Sequence, residues 1–318
     1  MADSGLTDVP AVGEALLRAI LDPNLPLVSD VREVTAKTLV TKYPSDDHPF
    51  ATLYNINLYR GCGHGCIYCD TRSACYGIID ISRIAVKQNA IALLERELAG
   101  KRKKGVIGTG SMHDPYMSLE ERIGLTRRAL EVIHRHGFGV HVITKSALVE
   151  RDIDILTRLQ AYHAVVSFSI TTVDDDLARQ LEPGASLPSR RLQAMARLRA
   201  AGIHSGALIM PLLPGLTDGE QNLRRLASAL KIHGAEYALP GCLTLRDTGR
   251  AYFYSRLAKI NPQALALTQR IYGERYLPPK EYAAKVYRLA STIITEAGLV
   301  QQIPKWRLDT QVTQLPLW

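Results

Sequence analysis

From Ala51 to Leu245 the chain repeats one pattern six times: a short apolar run, then a stretch with helical periodicity. The runs are ATLYNINLY, KGVIGTG, GFGVHVITK, HAVVSFSI, GALIMPLLPG and AEYALPGCLTL. Helical patterns near 84–98, 119–136, 147–160, 189–202 and 218–234 separate them. Strands joined through helices pair in parallel, since the crossover carries the chain back to its starting edge. The near-continuous apolar runs VIGTG, VHVIT and ALIMP predict strands covered on both faces. A doubly wound sheet and an incomplete barrel both satisfy this α/β pattern, and both gather their chemistry at the C-terminal strand ends. Those ends fall at 60–69, 109–116, 144–146, 169–172, 211–215 and 241–245.

Residues 51–247 read as one core, flanked by an N-terminal extension, 1–50, and a C-terminal region, 248–318, packed on it. The extension holds a helical pattern in VGEALLRAIL, a turn at DPNLP and a strand pattern in VTAKTLVTKYP; the C-terminal region is mainly helical, with a helix near 281–296. Hydrophobic residues at 46% and charged residues at 22% exclude collagen-like and disordered readings. No apolar run nears the roughly 18 residues of a membrane span. The opening MADSGLTDVP has two Asp and no basic residue, unlike a signal peptide, so a cytoplasmic protein is expected. Five cysteines, three of them within eight positions, suit a metal site in a reducing compartment better than a disulfide framework.

Cys62, Cys66 and Cys69 form C-x3-C-x2-C in NLYRGCGHGCIYCD, directly after the first strand of the array. Gly61, Gly63 and Gly65 let so short a loop turn its sulfurs inward. Three thiolates can hold three irons of a 4Fe-4S cluster and leave the fourth open to another ligand. The competing reading is a closed zinc site, completed by His64 or Cys75. Otherwise His64 reads as a solvated loop residue and Cys75 as a small, half-buried side chain.

The C-x3-C-x-aromatic-C spacing, with Tyr68 as the aromatic, resembles the signature of radical S-adenosylmethionine (SAM) enzymes. NLYRGC, TGSMHDPY, ITKSALV, VSFSI, LEPGA and MPLLPG follow in order, and together are similar to the spore photoproduct lyase-like branch over roughly 53–245. The resemblance implies a partial TIM barrel, (β/α)6, with a 4Fe-4S cluster on Cys62, Cys66 and Cys69 and SAM on the open iron. It places Tyr68 near the adenine, Lys145 and Ser169 at positions that reach SAM, and Asp114 in the segment of the methionine-binding strand end. Glu182 and Pro183 match a motif of structural character. The implied activity is reductive cleavage of SAM to a 5'-deoxyadenosyl radical that acts on an unidentified substrate, with lyase-like repair of nucleic acid as a candidate. A reducing partner such as flavodoxin or ferredoxin is implied with it.

The residue chemistry agrees: a lysine can pair with the SAM carboxylate, a serine hydroxyl can bond a ribose or carboxylate oxygen, and Asp114 can orient the ammonium group. The likeness also breaks in places. Ser111 stands where the lyase carries a hydrogen-returning cysteine, and a serine O–H is too strong to replace it; His113 stands where the lyase has serine. Cys242 and Tyr116 are then the candidate hydrogen donors or relays. The formal charge of +8, the KRKK run at 101–104 and the arginines of RRLQAMARLR leave a second reading, a zinc-stabilised nucleic-acid-binding protein without catalysis.

Overall fold

The structure, a computed structural model, describes residues 31–45 and 48–306; the helix and turn expected in VGEALLRAIL and DPNLP lie outside them. Among the described residues the strands are β1 Arg32–Val34, β2 Val40–Lys42, β3 Tyr54–Ile56, β4 Tyr59–Arg60, β5 Ala85–Lys87, β6 Val106–Thr109, β7 Gly139–Thr144, β8 Ala164–Ser169, β9 His204–Leu212 and β10 Ala238–Cys242. One sheet runs β10-β9-β8-β7-β6-β3-β2, with six parallel strands and β2 antiparallel at the edge; β1, β5 and β4 form a small second sheet. The six parallel strands lie side by side in chain order, without the reversal of a doubly wound sheet. Right-handed crossovers then carry the helices to one face, and the sheet curls into a partial (β/α)6 barrel.

Strand alternation sorts the two faces. Val140 and Val142 of β7, Ala164, Val166 and Phe168 of β8, and Ala207 and Ile209 of β9 join the apolar layer under the helices. Their neighbours Ile143, Val165, Leu208 and Met210 face inward with Tyr237, where Phe50 and Ile303 pack against them. The inner face is therefore covered by the chain's flanking segments, not by a second layer of helices. The C-terminal segment is held there by Ala238 N–H donating to Val300 O, 2.9 Å.

Several boundaries differ from the sequence pattern. The run at 84–98 begins as β5, because Val86 pairs with Glu33 on one side and Tyr59 on the other; the helix is Ala90–Ala99. VTAKTLVTKYP splits into β1 and β2. Between them Asn89 bonds both backbone groups of Ala36, and the Glu97 carboxylate takes the N–H groups of Leu39 and Val40. The 119–136 pattern breaks at Gly124, φ 64°, into Ser118–Ile123 and Leu125–Arg135. The C-terminal region contributes helices Asp247–Ile260, Pro262–Tyr272 and Lys280–Glu296. Among the described residues no helix is long and apolar enough to cross a membrane.

Two histidines are buried as neutral rings. His141 bridges Phe50 O at 2.8 Å and Ser167 Oγ at 2.7 Å, and His163 meets Pro304 O at 3.0 Å; burial lowers both pKa values to about 4. Between about 4 and the unfolded value of 6.5 the unfolded chain binds more protons, so stability rises with pH across that window. Urea denaturation at pH 7 and pH 5 should show His141→Gln losing less stability on acidification than the parent chain. Equal losses would show that His141 does not carry the effect.

Candidate active site

The C-terminal strand ends open into a cavity of about 450 Å³ lined by Cys62, Cys66, Cys69, Lys145, Ser169 and Cys242, with Tyr68 and Asp114. Residues from β4 to β10, up to 180 positions apart in the chain (242 − 62), thus meet on one surface. Gly61 turns the loop at φ 89°, where a Cβ would lie 2.6 Å from Arg83 O. The loop is then laced to the LEPG segment: Ile67 N–H donates to Leu181 O and Gly184 N–H to His64 O, 2.9 and 2.8 Å. Gly184 permits this approach, since a Cβ there would stand 2.3 Å from Gly63 O.

Two buried carboxylates anchor this end of the barrel. Asp114 Oδ1 accepts from Thr144 Oγ1 at 2.7 Å and Tyr116 N–H at 2.8 Å; Oδ2 accepts from Lys145 N–H at 2.6 Å and lies 3.1 Å from His64 Nε2. His64 and these hydrogen bonds overcome burial and hold the Asp114 carboxyl well below the usual carboxylate range. Glu182 accepts from the Tyr68 hydroxyl and pairs with Arg191, which is 1% exposed. Arg191 also donates to Ser169 O at 2.7 Å and Ser186 O at 2.6 Å. One guanidinium therefore joins the cysteine loop to the end of β8.

Burial pushes the Cys62 thiol up to about 12 and the Cys66 thiol well above its ordinary range, although N–H groups of His64 and Asp114 act in favour of the Cys62 thiolate. Thiolates at this wall call for cationic partners, and three soft sulfur donors on one loop fit an iron-sulfur cluster. The zinc alternative loses its fourth ligands. His64 is buried between Gly184 O at 2.9 Å and Asp114, not solvated, and exposed Cys75 contacts Ser73 and Arg246. Among the described residues no three His, Cys, Asp or Glu side chains are grouped to hold a single ion.

Other expectations separate here. Lys145 Nζ stands 5.8 Å from the Tyr68 ring centroid, on the cavity wall. Asp114, expected to meet the SAM ammonium group, has both oxygens committed to protein donors. Tyr116 is corrected: it is fully buried outside the cavity, its hydroxyl donating to Asp152 at 3.0 Å, because the turn after Asp114 rotates it under the helices. Cys242 lines the cavity, with Tyr287 Oη 3.5 Å from its backbone nitrogen. Ser111 is pinned between Asn55 and Asn57 at 3.0 and 3.1 Å. His113 lines the cavity with neither ring nitrogen bonded, and burial lowers its pKa to about 3. Part of the basic segments is engaged in the fold: Lys101 and Lys104 lie over Tyr54 and Phe138, and Arg191 is buried. The roles of His64 and Arg191 were not read from the sequence: His64 bonds Gly184 O, 120 residues on, and Arg191 reaches Glu182 across the break between two helices, where no period carries through.

A family model described as Radical SAM superfamily matches residues 56–227, more than half of the chain. The chain belongs to the radical SAM superfamily, and it is an enzyme of that class. An uncharacterized protein of Mycobacterium tuberculosis is 29% identical over 290 residues, covering 87% of this chain and 83% of that protein. A radical SAM Nalpha-GlyT isomerase of Pseudomonas phage M6 is 24% identical over 229 residues, 72% of this chain and 47% of that protein. The structure is similar to that of a spore photoproduct lyase variant with bound AdoMet and dinucleoside spore photoproduct. The TM-score is 0.68 at 16% identity, over 95% of this chain and 88% of the other, a likeness of fold.

Glu182→Ala would strand the buried Arg191 charge and should lower the unfolding free energy by about 3–5 kcal/mol. Tyr68→Phe removes one hydrogen bond to the same carboxylate and should cost about 1.5–3 kcal/mol. Denaturant titration checks the pair; a Glu182→Ala loss no larger than that of Tyr68→Phe would show that the ion pair does not hold this end of the barrel.

Proposed function

We propose that Cys62, Cys66 and Cys69 hold three irons of a 4Fe-4S cluster, and that Lys145, Ser169 and Tyr68 bind SAM beside it. The observation that carries this reading is the shared cavity: all six residues line one wall system at the strand ends. When bound, the reduced cluster supplies the electron that breaks a carbon-sulfur bond of SAM, giving a 5'-deoxyadenosyl radical. The ammonium group of Lys145 offers a charge for the SAM carboxylate, Ser169 a hydroxyl for a ribose or carboxylate oxygen, and Tyr68 a flat apolar surface for the adenine. Asp114 serves as a positioning residue, fixing His64, Thr144 and the Lys145 backbone around the cysteine loop.

The substrate in this reading is a nucleic acid or a modified nucleotide unit within one. Stacked Tyr43 and His48, centroids 3.8 Å apart, line the same cavity and offer a base a π surface. The solved lyase, bound to a dinucleoside spore photoproduct, supports the same class. Cys242 is the hydrogen donor in this reading, since its thiol lines the same cavity as Lys145 and Ser169. Its S–H bond is weak enough to yield hydrogen to a carbon radical, whereas the Ser111 O–H is not.

Anaerobically purified protein should contain about four iron and four sulfide per chain. Dithionite and SAM should then yield 5'-deoxyadenosine, and Cys66→Ala should abolish the product. One zinc without sulfide, or product from the variant, would overturn the assignment.

A further inference from the structure

One wall of the catalytic cavity carries a hydrogen-bond chain for which cluster and SAM binding give no use. Asn55 is the middle residue of β3, paired with Thr41 of β2 on one side and Gly108 of β6 on the other. Its neighbours Tyr54 and Ile56 join the apolar layer under the helices. Strand alternation therefore turns Asn55 inward, where it lines the cavity and is only 9% exposed. Its side chain meets Ser111, just past the end of β6, and Ser111 in turn meets Asn57.

The direction of each amide is fixed from the backbone outward. Met112 N–H can only donate, and it lies 3.2 Å from Asn57 Oδ1, so that atom is the oxygen. The Ser111 hydroxyl, 3.1 Å from the same oxygen, gives it its one proton. Toward Asn55, 3.0 Å away, Ser111 Oγ is left as an acceptor, and the group it meets is the Asn55 Nδ2 amide. Asn55 thus turns Oδ1 away from Ser111. Among the described residues that oxygen has no donor. Asn57 is itself held from β5, where Lys87 Nζ donates to its backbone oxygen at 2.7 Å.

The surroundings narrow the donor. Ile143 of β7 and Leu208 and Met210 of β9 make the inner part of the cavity apolar. The carboxylates among its described lining residues are both taken, Asp114 by the donors given above and Asp70 by Tyr76 and Thr244 at 2.6 and 3.1 Å. A protonated amine would enter here without a counter-ion, whereas a neutral N–H needs only a carbonyl.

We propose that Asn55 is a specificity-determining residue: its Oδ1 accepts a hydrogen bond from a neutral N–H on the edge of the reacting base, with Asn57 and Ser111 as positioning residues that hold it in that orientation. The inference rests on the reading of the substrate as a nucleic acid. A base that fills the inner cavity excludes water from Oδ1. A base without a donor at that point leaves the carbonyl buried and unpaired, so selection comes from the penalty on the wrong partner more than from the gain with the right one. A reversed amide would select an acceptor instead, and the Asn57–Ser111 chain is what forbids the reversal.

Thymine is the probe, since its edge carries one N–H and a single methyl group removes it. The test uses the cluster-loaded full chain with SAM, kept anaerobic, and fluorescence anisotropy with labelled hexathymidylate and with the same strand built from N3-methylthymine. The parent chain should bind the unmethylated strand about tenfold or more tightly than the methylated one. Asn55→Ala removes the acceptor and leaves room for the methyl group, so the two strands should then bind alike. Asn57→Asp still accepts from Ser111 and Met112 and should keep the preference. Asn57→Leu frees the serine proton to reverse Asn55 and should abolish it. A general loss of structure weakens both strands together, so the ratio isolates the contact. Equal binding of the two strands by the parent, or a preference that survives Asn55→Ala, would overturn the role of Asn55 and leave the nucleic-acid reading standing. No binding of hexathymidylate by a parent chain that carries its cluster defeats that reading, and the Asn55 contact with it.

Discussion

Asp114 gathers Thr144, Tyr116 N–H, Lys145 N–H and His64 in one buried spot, and the active end of the barrel is arranged around that carboxylate. Taking a carboxylate out of water costs several kcal/mol. Charge-assisted hydrogen bonds of about 1.5–3 kcal/mol each offset that cost only if all of them form together. The consequence is geometric. The ends of β6 and β7 and the cysteine loop must keep one mutual placement, or a charge is left stranded. Glu182 with Arg191 repeats the device between the loop and β8, so the wall that carries the cysteines is fixed from two sides.

The barrel divides its labour along its axis. At the N-terminal end, Phe50 and Ile303 close the interior, and the chain Tyr237–Ser167–His141–Phe50 O satisfies the polar groups there. At the other end the inward positions of the same strands are given over to the cavity, where Ser169, Lys145 and Cys242 replace apolar side chains. A sheet with helices on one face alone can do this because its inner face is free to be core at one level and site at another.

Much of the site was legible before the fold was known. The cysteine spacing is local, and a strand-end rule named Lys145, Ser169 and Cys242, which line one cavity. Tyr116 satisfied the same rule and lies under the helices, because position along a strand end does not say which way the following turn rotates. Ile84 to Val86 read as the start of a helix because a short apolar run carries no period of its own; pairing with Glu33 and Tyr59 decided for strand. The arginines of RRLQAMARLR read as candidate nucleic-acid contacts, yet Arg191 is buried against Glu182, nine residues back in the chain.

By itself, then, the sequence determined what depends on near neighbours: the order of strands and helices, the cysteine triplet, and the superfamily it signals. The tertiary structure alone decided the contacts made across long stretches of chain, such as His64 with Gly184, Tyr68 with Glu182, and Asp70 with Thr244. Such pairs leave no periodicity to read, because groups so far apart in the chain meet only once burial of the apolar strands and helices has assembled the barrel.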